Sequence, residues 1–89
     1  MADIRIYGTN SCAWCGAARM LLKRKGLDFE DILVGDPETR REMERLSGRR
    51  SVPQIFIGAE PIGGYDDLLA LERSGELDRM IAKGRGPST

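Results

Sequence analysis

A pair of cysteines near the N-terminus, Cys12 and Cys15, constrains the fold of this chain more than any other feature. The residues before the pair, Asp3–Tyr7, alternate polar and apolar side chains, which predicts a β-strand. Residues 8–11, Gly-Thr-Asn-Ser, are typical of a turn. From Cys12 onward apolar residues recur at helical spacing as far as Gly26, where the helix is expected to end. The sequence therefore predicts a strand, a turn and a helix that carries both sulfurs on its first turn.

This placement suits thiol chemistry. The first turn of a helix offers unpaired N–H groups and a partial positive charge, and both favour a thiolate over a thiol. Such a setting lowers a cysteine pKa from about 8.5 to between roughly 3.5 and 7.5. We expect Cys12, at the turn, to be exposed and to act as the nucleophile. Cys15, one turn further, is expected to be covered and to act as the resolving sulfur.

Other roles for the two cysteines are less well supported. A disulfide across four residues closes a very small loop and restrains the unfolded chain by only about 2 kcal/mol. A structural zinc site requires four ligands as a rule, and the chain has no histidine and no further cysteine. We therefore expect no metal site within a single chain. The remaining alternative is that the two cysteines are merely small apolar residues that lie close together.

Length and charge exclude several classes of function. The 89 residues suffice for one domain, which we place at 1–83, followed by a flexible tail at 84–89. The 14 basic and 14 acidic residues balance, which argues against a partner as strongly charged as nucleic acid. Neither a membrane-spanning run nor the apolar region of a signal peptide is apparent. We expect a cytoplasmic location, where cysteines are kept as thiols unless they do redox or metal chemistry.

The rest of the sequence predicts alternating strands and helices. The expected elements are a strand within 27–34, a helix from Asp36-Pro37 to Gly48 with Met43 and Leu46 buried, strands at 54–57 and 61–62, a helix at 66–74 and a last turn or two at 76–82. The order is β-α-β-α-β-β-α. Strands joined through a helix pair in parallel, whereas a hairpin is antiparallel. We predict an α/β fold with a mixed four-stranded sheet and helices on both faces.

Three segments in this order resemble the glutaredoxin family. They are CAWC at 12–15, SVPQIFI at 51–57 and GGYDD at 63–67, and the resemblance extends over residues 2–83. The pattern is most similar to small bacterial glutaredoxins with two active-site thiols. The resemblance implies a thioredoxin-like fold, a redox-active cysteine pair and glutathione as co-substrate.

The resemblance also implies a glutathione groove facing the cysteines. Pro53 is expected to be a cis proline, and the backbone of Val52 to pair with the extended tripeptide. Gly64 would let the backbone approach the ligand closely. The helix that opens at Asp66 and Asp67 would hold the γ-glutamyl end, with N–H groups for its carboxylate and the Asp67 carboxylate for its ammonium.

The chain departs from the family pattern where the other end of glutathione binds. Family members usually carry a basic residue in the loop before the first cysteine, and Thr9 stands there instead. Arg40 corresponds to a second family position that contacts the glycine carboxylate. Arg49 or Arg50 is an alternative partner for that carboxylate.

The residues between the cysteines also differ from the common Pro-Tyr pair. Ala13 replaces the proline, which restores a backbone N–H and frees the φ angle. Trp14 keeps an aromatic ring that can pack on a partner or on glutathione. The change at Ala13 is expected to alter the acidity and the reduction potential of Cys12.

The resemblance implies an enzyme that reduces protein–glutathione mixed disulfides and protein disulfides. Cys12 would attack the mixed disulfide, and glutathione, kept reduced by the glutathione reductase system, would regenerate it. The expected partners are glutathione and glutathionylated or disulfide-bonded proteins, with the chain a monomer that binds neither membranes nor nucleic acid.

Two alternatives accompany this prediction. In one, two chains each contribute Cys12 and two glutathiones complete a [2Fe–2S] cluster, which makes the chain a dimeric carrier or sensor. The absence of proline at position 13 motivates it. In the other, the chain is an electron donor to one reductase and is itself reduced by thioredoxin reductase.

Overall fold

The computed structural model describes residues 3–84, which form four strands and four helices. In chain order they are β1 (Ile4–Gly8), α1 (Ala13–Arg24), β2 (Glu30–Leu33), α2 (Pro37–Ser47), β3 (Gln54–Ile57), β4 (Glu60–Gly63), α3 (Tyr65–Ser74) and α4 (Glu76–Gly84). Each predicted element is present, with ends that differ by a few residues. The segment expected to add a last turn or two is a separate helix, α4, because Gly75 adopts a left-handed conformation between α3 and α4.

The sheet has the strand order β2-β1-β3-β4. Strand β1 pairs in parallel with β2 and antiparallel with β3, and β3 pairs antiparallel with β4. The predicted mixed four-stranded sheet is therefore confirmed. Because β1 is an interior strand, the loop at its C-terminal end places the start of α1 near the middle of the sheet edge.

The two faces of the sheet bury separate apolar clusters. Alternate side chains of β1 and β3 point to opposite faces, so Ile4 and Ile6 lie on one face and Tyr7 on the other. The first cluster packs α1, α3 and α4 onto the sheet and includes Ile4, Ile6, Ala18, Leu21, Leu22, Ile55, Ile57, Leu68, Leu77 and Ile81. The second packs Met43 of α2 and Val34 against Tyr7 and Phe56. Helices thus cover both faces, as predicted.

One prediction about the core is wrong. Met43 of α2 is fully buried, but Leu46, one turn later, is 39% exposed. The cluster beneath α2 is small, and of the residues of α2 only Met43 is buried. The helix contacts the sheet through a narrow stripe that excludes Leu46.

The predicted tail at 84–89 lies outside the described residues except for Gly84, which ends α4. Within residues 3–84, no helix combines the length and the apolar character needed to cross a bilayer.

Candidate functional site

Cys12 caps the N-terminus of α1. Its backbone is extended, with φ −101° and ψ 117°, and its Sγ accepts a hydrogen bond from the backbone N–H of Cys15 at 3.2 Å. A side chain that accepts from the N–H three residues later is the usual arrangement of a helix cap, here made by sulfur instead of oxygen. The geometry is suited to a negatively charged sulfur, because the cap position faces the positive end of the helix dipole.

The pKa of Cys12 is lowered from its ordinary value. Desolvation acts to raise the pKa, but it is outweighed by a hydrogen bond from the Cys15 side chain, by the backbone N–H groups of Cys15 and Trp14, and by the charge of Arg19. Cys12 is also partly accessible to solvent. The predicted combination of access and acidity is therefore present at this sulfur.

Cys15 occupies the opposite environment. It is fully buried, and burial raises the pKa of its thiol, as do the hydrogen bond and the charge of Cys12. A hydrogen bond from the Thr9 backbone and the charge of Arg19 act against this rise. The two sulfurs thus differ in the way that a nucleophile and a resolving thiol require.

Arg19 is a residue of the site that the sequence analysis did not single out. It lies one turn beyond Cys15 on α1, and its side chain is only 16% exposed. Its Nε lies 3.0 Å from Asp31 Oδ2 on β2, and both Nη atoms donate to the Thr9 carbonyl at 3.3 Å. The spacing of four residues from Cys15 was an available signal, since such residues share a helix face.

The Val52–Pro53 peptide bond is cis, as the resemblance implied, and it lies opposite the cysteines. Cys12 Sγ is 3.9 Å from the Val52 carbonyl oxygen. The buried side chain of Gln54 donates to the Ser51 carbonyl at 2.9 Å and to its hydroxyl at 3.3 Å. These bonds fix the turn before β3, and so they fix the position of the Val52 carbonyl relative to the Cys12 sulfur.

An open groove of about 210 Å³ lies beside the cysteine helix. Its lining consists of Trp14, Arg49, Ser51, Val52, Pro53, Gln54, Gly64, Tyr65, Asp66 and Asp67. Six of the predicted binding residues are among them: Trp14, Val52, Pro53, Gly64, Asp66 and Asp67. The structure therefore brings the three sequence motifs together around one cavity, whose occupant stays a prediction.

The start of α3 forms one wall of this groove. Asp67 Oδ2 accepts from the Gly64 backbone N–H at 3.0 Å, which caps the helix. The same oxygen lies 3.4 Å from Arg49 Nη1. Gly63 has φ +115°, a conformation that side chains rarely adopt, and an added Cβ there would contact the Asp67 carboxylate.

Arg40 is the predicted binding residue that does not line the groove. Its Nη1 donates to the Arg50 carbonyl at 2.8 Å, and Arg40 lines a different cavity together with Val34 and Pro37. Arg49, an alternative partner for the carboxylate in the sequence analysis, lines the groove instead. The role of Arg40 in binding a carboxylate stays a prediction.

Trp14 stacks on Tyr65 across the groove. The ring centroids are 5.7 Å apart and the planes differ by 23°, while Trp14 remains 61% exposed. Tyr65 was not predicted as a site residue, although it lies within the GGYDD segment. The stack joins the cysteine helix to the start of α3.

Comparison with known proteins finds one matching family model, Glutaredoxin, over residues 4–62. A glutaredoxin of Pseudomonas aeruginosa is 48% identical over 83 residues, covering 92% of this chain and 99% of that protein. Glutaredoxin 3 of Escherichia coli is 45% identical over 82 residues, covering 91% of this chain and 99% of that protein.

Solved structures agree with the fold. The solution structure of a glutaredoxin from Brucella melitensis is 48% identical, with a TM-score of 0.80, and the match covers 91% of this chain and 89% of that one. A buckwheat glutaredoxin, solved as a glutathione complex, has a TM-score of 0.83 over 92% of this chain and 78% of its own. At 23% identity the buckwheat protein is evidence for the fold alone.

Proposed function

This chain belongs to the glutaredoxin family of thiol–disulfide oxidoreductases, and we propose that it uses glutathione to reduce protein–glutathione mixed disulfides and protein disulfides. The observation that carries the proposal is the position of Cys12 Sγ. It accepts the Cys15 N–H at 3.2 Å on one side and lies 3.9 Å from the Val52 carbonyl at the groove on the other. The acidic sulfur therefore lies against Val52, one of the residues that line a groove suited to an extended peptide.

The first step is attack by the Cys12 thiolate on the glutathione sulfur of a mixed disulfide. The protein sulfur leaves as a thiolate and takes a proton from solvent, and Cys12 becomes glutathionylated. A second glutathione thiolate then attacks the glutathione sulfur on Cys12. Oxidised glutathione departs, and Cys12 is again a thiolate stabilised by the amide groups at the start of α1.

The groove offers complementary groups for the tripeptide. The backbone of Val52 at the groove suits the cysteine portion of glutathione, in the manner of an added strand. The N–H groups at the start of α3 suit the γ-glutamyl carboxylate. Asp67 uses Oδ2 to cap Gly64 and pair with Arg49, which leaves its other oxygen for the ammonium.

Arg49 lines the groove and lies 3.4 Å from the Asp67 carboxylate, so we infer that it faces the γ-glutamyl end of the ligand. We assign the glycine carboxylate to Arg40, whose Nη1 donates to the Arg50 carbonyl and whose Nη2 is not used in that bond. This assignment supplies a base for the end of the ligand that Thr9 does not serve.

Protein disulfides require both sulfurs. Cys12 attacks one sulfur of the substrate and forms a mixed disulfide with the protein. Cys15, buried behind Cys12, attacks the Cys12 sulfur and releases the second protein thiolate. Two glutathiones then reduce the Cys12–Cys15 bridge. We place this chemistry in the cytoplasm, where glutathione keeps thiols reduced.

The experiment compares Cys12→Ser and Cys15→Ser with the parent, using a glutathionylated peptide and a disulfide-bonded protein as substrates. Cys12→Ser should reduce both reactions to the uncatalysed rate. Cys15→Ser should keep activity on the glutathionylated peptide and lose it on the disulfide-bonded protein. Activity of Cys12→Ser equal to that of the parent would refute the assignment of the nucleophile.

Glutathione dependence is tested separately by changing the reductant. Cysteinylglycine lacks the γ-glutamyl group but retains the thiol and the glycine carboxylate. If the start of α3 recognises the γ-glutamyl end, kcat/KM should fall by about tenfold or more with cysteinylglycine, as expected for the loss of 1.4 kcal/mol or more of binding. Equal kcat/KM values for the two thiols would contradict the proposed groove.

The [2Fe–2S] alternative and the thioredoxin-reductase alternative stay predictions. The first requires a second chain to supply the other Cys12 ligand. No contact within residues 3–84 favours either alternative over the glutathione-dependent enzyme.

A further inference from the structure

Arg19 and Cys15 approach each other through a space left by a glycine. A Cβ built on Gly8 would lie 2.9 Å from Cys15 Sγ and 3.1 Å from Arg19 Nη2. One carbon atom would therefore crowd both groups, so the sulfur and the guanidinium are near neighbours on either side of the bare Gly8 backbone. Gly8 ends β1 and is itself buried.

The guanidinium is held in place at both ends. Nε binds the Asp31 carboxylate at 3.0 Å, and both Nη atoms donate to the Thr9 carbonyl at 3.3 Å. Because the Arg19 side chain is 16% exposed, its charge is only partly screened by water. The charged or titratable groups facing Cys15 are thus Cys12 and Arg19 of α1, with Asp31 of β2 behind Arg19.

The start of α1 stabilises a thiolate at Cys12 but not at Cys15. Cys12 accepts N–H groups at the start of α1, whereas Cys15 lies one turn inside the helix and is fully buried. A buried sulfur that must become a thiolate needs a nearby positive charge. Among the residues described here, Arg19 provides the positive charge that acts on Cys15.

We propose that Arg19 is a positioning residue for the resolving step, in which its guanidinium, held by Asp31 and Thr9, stabilises the negative charge on Cys15 as that sulfur attacks Cys12. The proposal rests on the thiol–disulfide function given above. Arg19 thereby controls the rate at which the Cys12–glutathione adduct is converted to the Cys12–Cys15 disulfide.

Cys15 gives up its proton to solvent, and its thiolate attacks the Cys12 sulfur of the Cys12–glutathione disulfide. The bond between Cys12 and glutathione breaks as the Cys12–Cys15 bond forms. Glutathione leaves as a thiolate and takes a proton from solvent. Together with the earlier formation of the adduct, the two protein thiols are oxidised by two electrons and one oxidised glutathione becomes two reduced ones.

The experiment mixes reduced protein with oxidised glutathione, stops the reaction with acid at intervals and follows intact masses. The masses separate the reduced protein, the Cys12 adduct and the closed disulfide, so formation of the adduct and closure give separate rates. The variants are Arg19→Gln, which removes the charge, and Arg19→Lys, which keeps it. Arg79→Gln is the matched control, since Arg79 is an exposed residue of α4 whose one salt bridge to the described residues is with Glu76.

We expect closure in Arg19→Gln to be about threefold slower at pH 7. One unit of higher pKa reduces the thiolate tenfold, and the more basic thiolate that remains is roughly threefold more nucleophilic. The difference should shrink as the pH rises, and it should vanish or reverse once Cys15 is ionised in both proteins. Arg19→Lys and Arg79→Gln should have the closure rate and the pH dependence of the parent.

Asp31→Asn should change the closure rate in the opposite direction from Arg19→Gln. Asparagine keeps an oxygen for Arg19 Nε but removes the negative charge that partly neutralises the guanidinium. Closure in this variant should be faster than in the parent at pH 7. Asp31 lies on an edge strand and is 48% exposed, so the variant should fold even if Arg19→Gln does not.

Three results would overturn the inference. Equal closure rates for parent and Arg19→Gln at pH 7 would remove any role for the charge. Closure that is slower by one factor at every pH, with no recovery in Arg19→Lys, would indicate that Arg19 only braces the fold. Failure of every variant and of the parent to form a Cys12 adduct would instead refute the proposed function, and the inference with it.

Discussion

Cys12 Sγ and the backbone nitrogen of Cys15 are 3.2 Å apart, so the nucleophile is hydrogen-bonded to the residue that carries the resolving sulfur. The bond closes the first turn of α1 and directs the Cys12 sulfur towards its positive end. At the same time the Cys15 side chain lies in the protein interior, directly behind. One helical turn therefore produces an accessible acidic thiol and a protected basic one from the same residue type.

The lowered pKa of Cys12 predicts how its reactivity depends on pH. Thiolate is the reactive form, so alkylation by iodoacetamide should reach half its maximal rate at a pH below the ordinary cysteine pKa of about 8.5. Below that midpoint the rate should fall about tenfold per pH unit, because Cys12 becomes protonated. Cys15→Ala removes the side-chain hydrogen bond and should move the midpoint to higher pH. A midpoint at or above 8.5 in the parent would contradict the proposed stabilisation.

Gly63→Ala should damage both the fold and the groove. The φ of +115° strains any residue with a side chain, and the new Cβ would lie 2.9 Å from Asp67 Cγ. We expect a loss of about 2–3 kcal/mol in the free energy of unfolding and weaker glutathione binding, since Asp67 must leave its position. Denaturant unfolding and calorimetric titration measure the two effects.

Gly16→Ala is the matched control for that variant. Gly16 is within α1, and a Cβ there meets no atom within 4 Å. Alanine is favoured over glycine in a helix by up to about 1 kcal/mol, so the control should be as stable as the parent or more so. Equal stability of the Gly63 and Gly16 variants would show that the Gly63 conformation is not required.

The sequence predicted the elements that local signals determine. The alternation of Asp3–Tyr7 and the cysteine turn predicted β1 and α1, and Gln54–Ile57 is a strand with the predicted bounds. Gly48 and Gly75 adopt the left-handed conformation at helix ends, as their positions after apolar stripes suggested. These features depend on neighbours within a few residues, so they are readable from sequence.

Contacts between distant segments were not readable in this way. Arg19 meets Asp31 because β1 and β2 pair in parallel with Ile6 opposite Asp31, and no local pattern fixes that register. The hydrogen bond from Arg40 to the Arg50 carbonyl joins two segments of the chain and could not be predicted from a local pattern. The misassigned Leu46 likewise depended on how narrow a stripe α2 presents to the sheet.

Gln54→Leu should loosen the loop that presents Val52. Its buried amide is the described donor to the Ser51 side chain and carbonyl, and leucine leaves that carbonyl without this partner. The free energy of unfolding should fall by about 1–3 kcal/mol. The KM for glutathione should rise more than kcat falls, because the Cys12 sulfur keeps its 3.2 Å hydrogen bond within α1, whereas its contact with the Val52 carbonyl is longer, at 3.9 Å. Steady-state kinetics with varied glutathione measure the split, and an effect on kcat alone would contradict it.

Trp14→Ala should weaken glutathione binding with little effect on stability. The ring stacks on Tyr65 at 5.7 Å and forms part of the groove wall, yet it is 61% exposed and buries little area. We expect KM for glutathione to rise by a few fold and the free energy of unfolding to change by about 1 kcal/mol or less.

Trp14 is the only tryptophan, so its fluorescence reports on the groove directly. In a Cys12→Ser background, glutathione should change the emission of the parent sequence, and Tyr65→Phe should retain that response because the stack survives. A saturable glutathione response that is unchanged in Tyr65→Ala would show that the stack does not shape the binding site.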